Sequence, residues 1–413
     1  MVGAGAAGLV AAIFAASGPA PVMVLERTAD GGRKILISGG GRCNILPSRL
    51  APERFVTDSA PPLMRAMLRA WPVAAQRRFF EDEVGLPLAL EEETGKLFPR
   101  SNRARDVRDG LVALARRRGV QFIFNTTVEG IAPDGERWHL ETSDGQQPAS
   151  RVVLATGGLS VPMTGSDGTG LRLARALGHR VHDTYPALTP LTVAPPHGSA
   201  PHPAELAGVS LDVRLRARGG GRTTESHGGF LFTHRGYSGP SVLDVSHVCV
   251  RSIEGVGAEA AAPATLRVSW SEVSAGEWDA RLLEGDVHVA SILGRVLPER
   301  LALFLLASAG VPRDRRTSSL RRAERTALVE HLTAYALPWT GHEGYKKAEV
   351  TGGGIALSDV NSRTLESRHH RGLYLCGEML DAFGPIGGHN FTWAWSTGRA
   401  AGVAAASRPA ASE

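Results

Sequence analysis

A run of small and apolar residues opens the chain, from Val2 to Leu25, with Ser17 its one polar side chain. The pattern predicts a buried helix over Leu9 to Ser17 and a buried strand over Val22 to Leu25, which ends in the acid Glu26. Helical patterning returns from Pro62 to Glu83 and from Asn102 to Arg118. Val120 to Phe124 reads as a strand. Trp138 to Thr142, the Asp144-Gly145 turn and Arg151 to Thr156 read as a hairpin leading into a buried strand. From about Thr184 the texture changes. Prolines stand at 186, 190, 195, 196, 201 and 203, followed by short β-like runs at Leu211 to Leu215, Gly229 to Thr233 and Leu266 to Trp270. Proline cannot donate to a ladder, so this density excludes central parallel strands and predicts an antiparallel or barrel-like unit. Helices are expected over Asp286 to Ala309 and Ser318 to Ala336, and glycine-rich strands resume near Lys346. The expected organisation is one nucleotide-binding domain in two parts, 1–184 and 346–413, interrupted by a substrate-side insertion at 185–345. Ser407 to Glu413 reads as a frayed tail.

Where the first helix should begin, Gly3-Ala4-Gly5-Ala6-Ala7-Gly8 has the G-x-G-x-x-G form of a dinucleotide-binding turn. Gly3 allows the tight turn, Gly5 lets backbone approach a pyrophosphate, and Gly8 allows close helix–sheet packing. The helix start offers free N–H groups to the phosphates. Glu26 lies close to the roughly 20 residues beyond at which an acid grips an adenosine ribose. Only Met1 and Val2 precede the turn, so either the true start lies upstream or the first strand is clipped. A second segment, Gly32 to Asn44, contains Lys34, Ser38, three consecutive glycines ending at Gly41, then Arg42 and Asn44. Glycine backbone with flanking cations suits an anion-binding concavity. A third, near the C-terminus, runs a strand into Gly377-Glu378, passes Asp381, and reaches Gly387-Gly388 before a helix starting at His389-Asn390-Phe391. That helix start carries partial positive charge able to stabilise an anion. The strand Val152 to Leu154 runs into Ala155-Thr156-Gly157, small residues suited to backbone passing close to a ligand.

Composition narrows the function classes. At 413 residues with 43% hydrophobic content the chain has length for two or three domains and a substantial core. No apolar stretch reaches the roughly 18 residues of a membrane span. The opening run lacks a basic segment before it and is followed by Glu26-Arg27, which argues against a secretory signal. The net charge of +5 comes almost wholly from arginine, since lysine stands only at 34, 96, 346 and 347. The arginines are mixed with acids along the chain. Arg116 to Arg118 and Arg313 to Arg322 therefore read as solvated helix ends, and nucleic acid is not an expected partner. Cys43, Cys249 and Cys376 stand far apart, which argues against a disulfide framework, a zinc site and a dithiol centre, so no metal is expected and a reducing cytoplasm fits best.

The pairing of GGRKILISGGGRCN with GLYLCGEMLDAFGPIGGHNFTWAWSTGRAAG resembles the bacterial FAD-dependent oxidoreductase family that includes aminoacetone oxidase and dehydro-bile-acid reductases. THRGYSGPSVLDVS, from Thr233 to Ser246, and EVTGGGIALSDV, from Glu349 to Val360, extend the likeness. The resemblance implies an α/β fold: a glutathione-reductase-like FAD-binding Rossmann domain interrupted by a β-barrel-like substrate domain with a small helical insertion. It implies FAD contacts at Gly5 to Ala7, Glu26, Lys34, Arg42, Val128, Ala155, Glu378 and Gly388 to Phe391, to which Arg27 and Thr156 are added as neighbours. His389 stands where the family more often carries an aromatic residue. No second G-x-G-x-x-G unit follows Gly158, so NADH or NADPH would visit the cleft transiently. The resulting expectation is hydride transfer through flavin N5, as NAD(P)H-linked reduction of a conjugated carbonyl compound. Oxidation of a small amine such as aminoacetone by oxygen and an RNA-associated flavoprotein stay open as alternatives. The catalytic acid is unassigned, with His389, His234 and Tyr237 as candidates.

Overall fold

Strands far apart in sequence pair in parallel at the centre of the first unit. Met23–Glu26 pairs with Gln121–Phe124, and Val152–Leu154 pairs with Leu373–Leu375. Val2 bridges the two pairs, lying parallel to both Leu25 and Leu154. The N–H groups of Val2 and Gly3 reach Val153 and Leu25, and Leu25 returns a bond to Met1. Gly3, at φ +99°, turns the chain at once and ends this central strand. The computed structural model describes residues 1–196, 201–256 and 262–407; the tail expected beyond Ser407 lies outside the described residues. The chain divides into two compact units, 1–184 with 349–413, and 185–348.

In the first unit, helix Ala6–Ala15 is buried over most of its circumference, as expected of a helix apolar all round. Helix His389–Ser407 crosses it closely enough that glycine is required. A Cβ on Gly398 or Gly402 would stand 2.4 or 2.3 Å from the carbonyl oxygens of Ala7 and Ala11. The helix expected over Pro62 to Glu83 is broken: Pro61–Arg69 and Val73–Arg78 flank Pro72, and Phe79–Val84 unwinds to a wider turn. Proline removes a helical donor and clashes with the preceding turn, which explains the break. The unit also contains two antiparallel three-stranded sheets. One orders Leu46–Pro47, Lys96–Pro99 and Leu88–Glu91; the other is the meander Val128–Asp134, Arg137–Thr142 and Gly145–Ala149.

The second unit is built on a seven-stranded antiparallel sheet whose longest members are the hairpin Ser210–Gly219 and Arg222–Thr233. The expected barrel does not close. Its edges are the two-residue strands Tyr335–Ala336 and Gly341–His342, and among the described residues no ladder joins them. The short edges share one connection containing Pro338, which cannot donate to a ladder. Val213, Leu215 and Ala217 face inward against Phe230 and Phe232, and helix Pro240–Glu254 packs over them. The helix expected over Asp286 to Ala309 is split at Pro298 into Val289–Leu293 and Glu299–Ser308. Arg322–Thr333 forms the last helix of the unit.

Candidate functional site

The first unit contains a cleft of about 430 Å³, within the range of ligand pockets. Its floor is the glycine turn. Gly3 holds its positive φ with a Cβ position only 2.6 Å from Ala155 O, and Gly8 lies so close to Gly3 O that a Cβ would stand 2.0 Å away. Gly5 starts the helix with nothing within 4 Å of its Cβ position, so its backbone is open to the cleft. Gly3, Gly5, Ala6 and Ala7 line the cavity, whereas Gly8 sits beneath it as a packing residue.

Glu26 is buried at the end of its strand and lines the same cleft. Ala4 N–H donates to Oε2 at 2.7 Å, and Thr28 donates to Oε1 through N–H (2.9 Å) and Oγ1 (2.7 Å). A carboxylate has about four acceptor positions, so capacity remains for a ligand hydroxyl. Arg27 lines the cleft in an ion pair with Asp167, another lining residue. Burial pushes the Asp167 carboxyl upward, but hydrogen bonds from Arg27 and Thr169 outweigh it and hold the group at about 2.

Lys34 is held by an ion pair and a hydrogen bond. Its ammonium donates to Glu378 Oε2 and to Ser160 Oγ, both at 2.5 Å. Ser160 Oγ passes a hydrogen bond to Glu378 Oε1, which also accepts from Thr351 N–H and Oγ1 at 3.0 Å. Four separate segments thus fix one ion pair at the cleft wall. An ammonium has three donors, and two are committed among the described residues. Ser38, Gly39, Gly40 and Asn44 continue the wall, with Gly39 and Gly40 at φ +55° and +65°. Gly41 and Arg42 do not line it. Arg42 turns outward to Glu91 at 3.0 Å and lies over the Phe98 ring.

Val128, Ala155, Thr156 and Gly157 form another wall, and Gly377, Glu378, Gly388, Asn390 and Phe391 close the lining. With its amide oriented by its neighbours, Asn44 accepts from Gly388 N–H at 3.2 Å. Asn390 braces the turn before the last helix through bonds to Gly384 and Pro385. Asp381 does not line the cavity. It is buried beside it, accepting from Ser59 Oγ at 2.8 Å and from the N–H groups of Ser59 and Asp58. Its carboxyl is pushed up by burial. His389 also lies off the lining. Its Nδ1 is 3.2 Å from Ile386 O, its Nε2 has no partner among the described residues, and burial lowers it to about 4.

The other two acid candidates belong to the second unit. His234 is exposed on the turn between strands. Tyr237 is fully buried among Phe230 and Phe232, and burial raises its hydroxyl well above 10. The three cysteines are free and buried, with thiols pushed to about 12 by desolvation. Sequence reasoning missed Lys96, Thr126, Val161, Asp167 and Val350, all of which line the cleft. Lys96 carried a signal, being one of few lysines in an arginine-rich chain, and Val350 lies in the Glu349 to Val360 run already noted; Thr126, Val161 and Asp167 sit in segments without a motif.

The lining fits a dinucleotide. It combines an open glycine turn at a helix start, a buried acid with acceptor capacity, a fixed ammonium and glycine walls where a Cβ would intrude. Residues 1–404 match the family described as HI0933-like protein Rossmann domain. The chain belongs to that family. It is 33% identical, over 99% of both chains, to the 3-dehydro-bile acid delta(4,6)-reductase of Clostridium scindens. It is 32% identical to the ribosomal RNA dihydrouridine synthase of Escherichia coli, over 96% of this chain and 95% of that one. With such relatives along its whole length it is an oxidoreductase of the flavoprotein class. In fold it is similar to the 3-ketosteroid delta1-dehydrogenase of Sterolibacterium denitrificans, with a TM-score of 0.51 at 14% identity over 98% of each chain. Among the described residues no helix is long and apolar enough to cross a membrane.

Proposed function

We propose that the chain binds FAD in this cleft and, with NADH or NADPH as reductant, saturates a carbon–carbon double bond conjugated to a carbonyl group. The observation that carries the cofactor reading is one continuous cleft lined by the Gly3–Ala7 turn, Glu26, Lys34 and the Gly377–Phe391 segment. The reaction class is supported by what the relatives' names share. A 3-oxo compound with double bonds at positions 4 and 6 and the uracil ring of uridine both present an alkene conjugated to a carbonyl.

When bound, FAD carries the hydride between nicotinamide and substrate. The protein's part is binding, orientation and electrostatics. Glu26, held by Ala4 and Thr28, accepts ribose hydroxyls; the open backbone at Gly5 and the helix start meet the pyrophosphate. Lys34, locked by Glu378 and Ser160, keeps one N–H for a ligand in the cleft. The Ala155–Gly157 and Gly377 walls present little side chain, so a flat ring can lie against backbone.

The test is anaerobic. FAD-loaded protein is mixed with NADH or NADPH while the flavin band near 450 nm is followed, and a 3-oxo-4-ene compound is then added. The expected result is bleaching by one nicotinamide, recovery of the band on adding the enone, and a product two hydrogens heavier. A chain that takes up no flavin, or a bound flavin that neither nicotinamide reduces, would sink the proposal. The Escherichia coli relative favours a second reading, uridine within RNA as the substrate. The same reduced protein is then given ribosomal RNA, and dihydrouridine is sought by mass spectrometry of the nucleosides.

A further inference from the structure

Four cationic side chains line the cleft: Arg27, Arg33, Lys34 and Lys96. Three are neutralised on the spot, Arg27 by Asp167, Arg33 by Asp30 at 2.7 Å and Lys34 by Glu378 at 2.5 Å. Lys96 is different. Its ammonium makes no ion pair or hydrogen bond among the described residues; its cross-strand neighbour Glu91 feels its charge but gives its carboxylate oxygens to Thr94 and Arg42. Among the described residues no carboxylate is in ion-pair contact with this ammonium, which leaves its donors available to an anionic ligand in the cleft.

Its position says which part of the ligand. Lys96 begins the strand Lys96–Pro99, and its Cε lies 3.5 Å from the Cβ position of Gly387. Gly387 and Gly388 adopt φ +99° and +88°, and the 19-residue helix His389–Ser407 starts directly after them. The partial positive charge of that helix start and the full charge of Lys96 therefore meet at one edge of the cleft. Gly3 to Ala7 and Glu26 already serve the phosphates and ribose. The ring system is the part left for the Lys96–Gly387 edge.

We propose that Lys96 is the counter-charge for the reduced flavin ring, an inference that rests on FAD binding in this cleft. Two-electron reduction leaves negative charge along the N1–C2=O edge of the ring, whereas the oxidised ring is neutral. A cation beside that edge stabilises the reduced state selectively and raises the midpoint potential. Sulfite reports the same charge without turnover. Its sulfur lone pair forms a bond to flavin N5, and the ring's electron pair moves to N1–C2=O, giving an anionic adduct that bleaches the flavin band.

The experiment uses FAD-loaded wild-type, Lys96→Met and Lys96→Arg proteins. It measures sulfite affinity, the midpoint potential by dye equilibration, and FAD affinity. Lys96→Met should weaken sulfite binding by about tenfold or more. Its potential should fall by about 30 mV for each tenfold in a two-electron couple. Lys96→Arg should keep both close to wild type, and all three proteins should hold FAD about equally well. Unchanged sulfite affinity and potential in Lys96→Met would overturn the proposal. So would loss of FAD affinity in that variant without a change in potential, which would make Lys96 a phosphate contact instead. A wild-type chain that binds no flavin would remove the underlying cofactor reading, an outcome distinct from both.

Discussion

Glu26 accepts three hydrogen bonds from its own chain before any ligand arrives. Replacing it therefore has two separable effects. Glu26→Gln turns one acceptor oxygen into a donor that faces Ala4 or Thr28, and it removes the charge that ribose hydroxyls would meet. Hydrogen bonds to charged groups contribute about 1.5–3 kcal/mol. FAD affinity measured by flavin fluorescence should accordingly fall by about 10- to 100-fold, and Glu26→Lys should purify without flavin. His389 makes a prediction of a different kind. Burial lowers its imidazole to about 4, from an unfolded value near 6.5. Between those pH values the unfolded chain binds the extra proton and the folded chain does not, so stability rises with pH across that window and is lost as pH falls through it. The difference corresponds to about 3 kcal/mol at full extent. In urea unfolding, His389→Phe should lose less stability than wild type between pH 6.5 and 4. Equal losses would show that the imidazole does not titrate differently on folding.

At the scale of elements, the contact between helices Ala6–Ala15 and His389–Ser407 is set by the absence of two side chains. Gly402→Ala places a methyl group 2.3 Å from the Ala11 carbonyl, which neither rigid helix can yield. A loss of about 1–3 kcal/mol is expected from such overpacking. Gly276→Ala is the matching control. It lies in helix Ala275–Leu283 with nothing within 4 Å of its Cβ position, and it should gain about 0.5–1 kcal/mol. Opposite shifts in thermal midpoint would verify both; a destabilised Gly276→Ala would contradict the packing argument. The same scale shows why some elements were legible in the sequence and others were not. The glycine turn and the strand before Glu26 are local patterns, complete within a few residues. Helix Pro240–Glu254 was not expected, because its start follows directly from strand Gly236–Ser238 and its buried face carries Ser241, Ser246 and His247 among the apolar residues. The hairpin from Ser210 to Thr233 is longer than its apolar runs suggested. Its outer positions carry arginine, glutamate and threonine, which hide the alternation from a search for hydrophobic stretches.

For the whole molecule, the candidate site was legible where one short motif holds several members and illegible where the fold imports single residues. Gly3, Gly5, Ala6, Ala7, Glu26, Lys34, Gly377, Glu378 and Gly388 all line one cleft; Glu26 lay at the end of an apolar strand and the rest in glycine-rich segments. Lys96 and Asp167 line it too, but Lys96 comes from a sheet whose three strands are spread between residues 46 and 99, and Asp167 is recognisable only through its pairing with Arg27. Arg42 sat in the most suggestive motif and faces away, since Glu91 and Phe98 hold it. The division of the first unit into 1–184 and 349–413 has a temporal side. A ribosome delivers the Gly3 turn first and Glu378, Gly388 and the covering helix last. At about 5–20 residues per second, the early half of the cleft waits roughly 20–70 s for the late half. During that interval helix Ala6–Ala15 has no His389–Ser407 to lie against, and its apolar surface is exposed to holding chaperones. Nascent chains stalled before Gly377 should therefore capture no flavin and should crosslink to such chaperones, whereas released chains should load the cofactor and let them go.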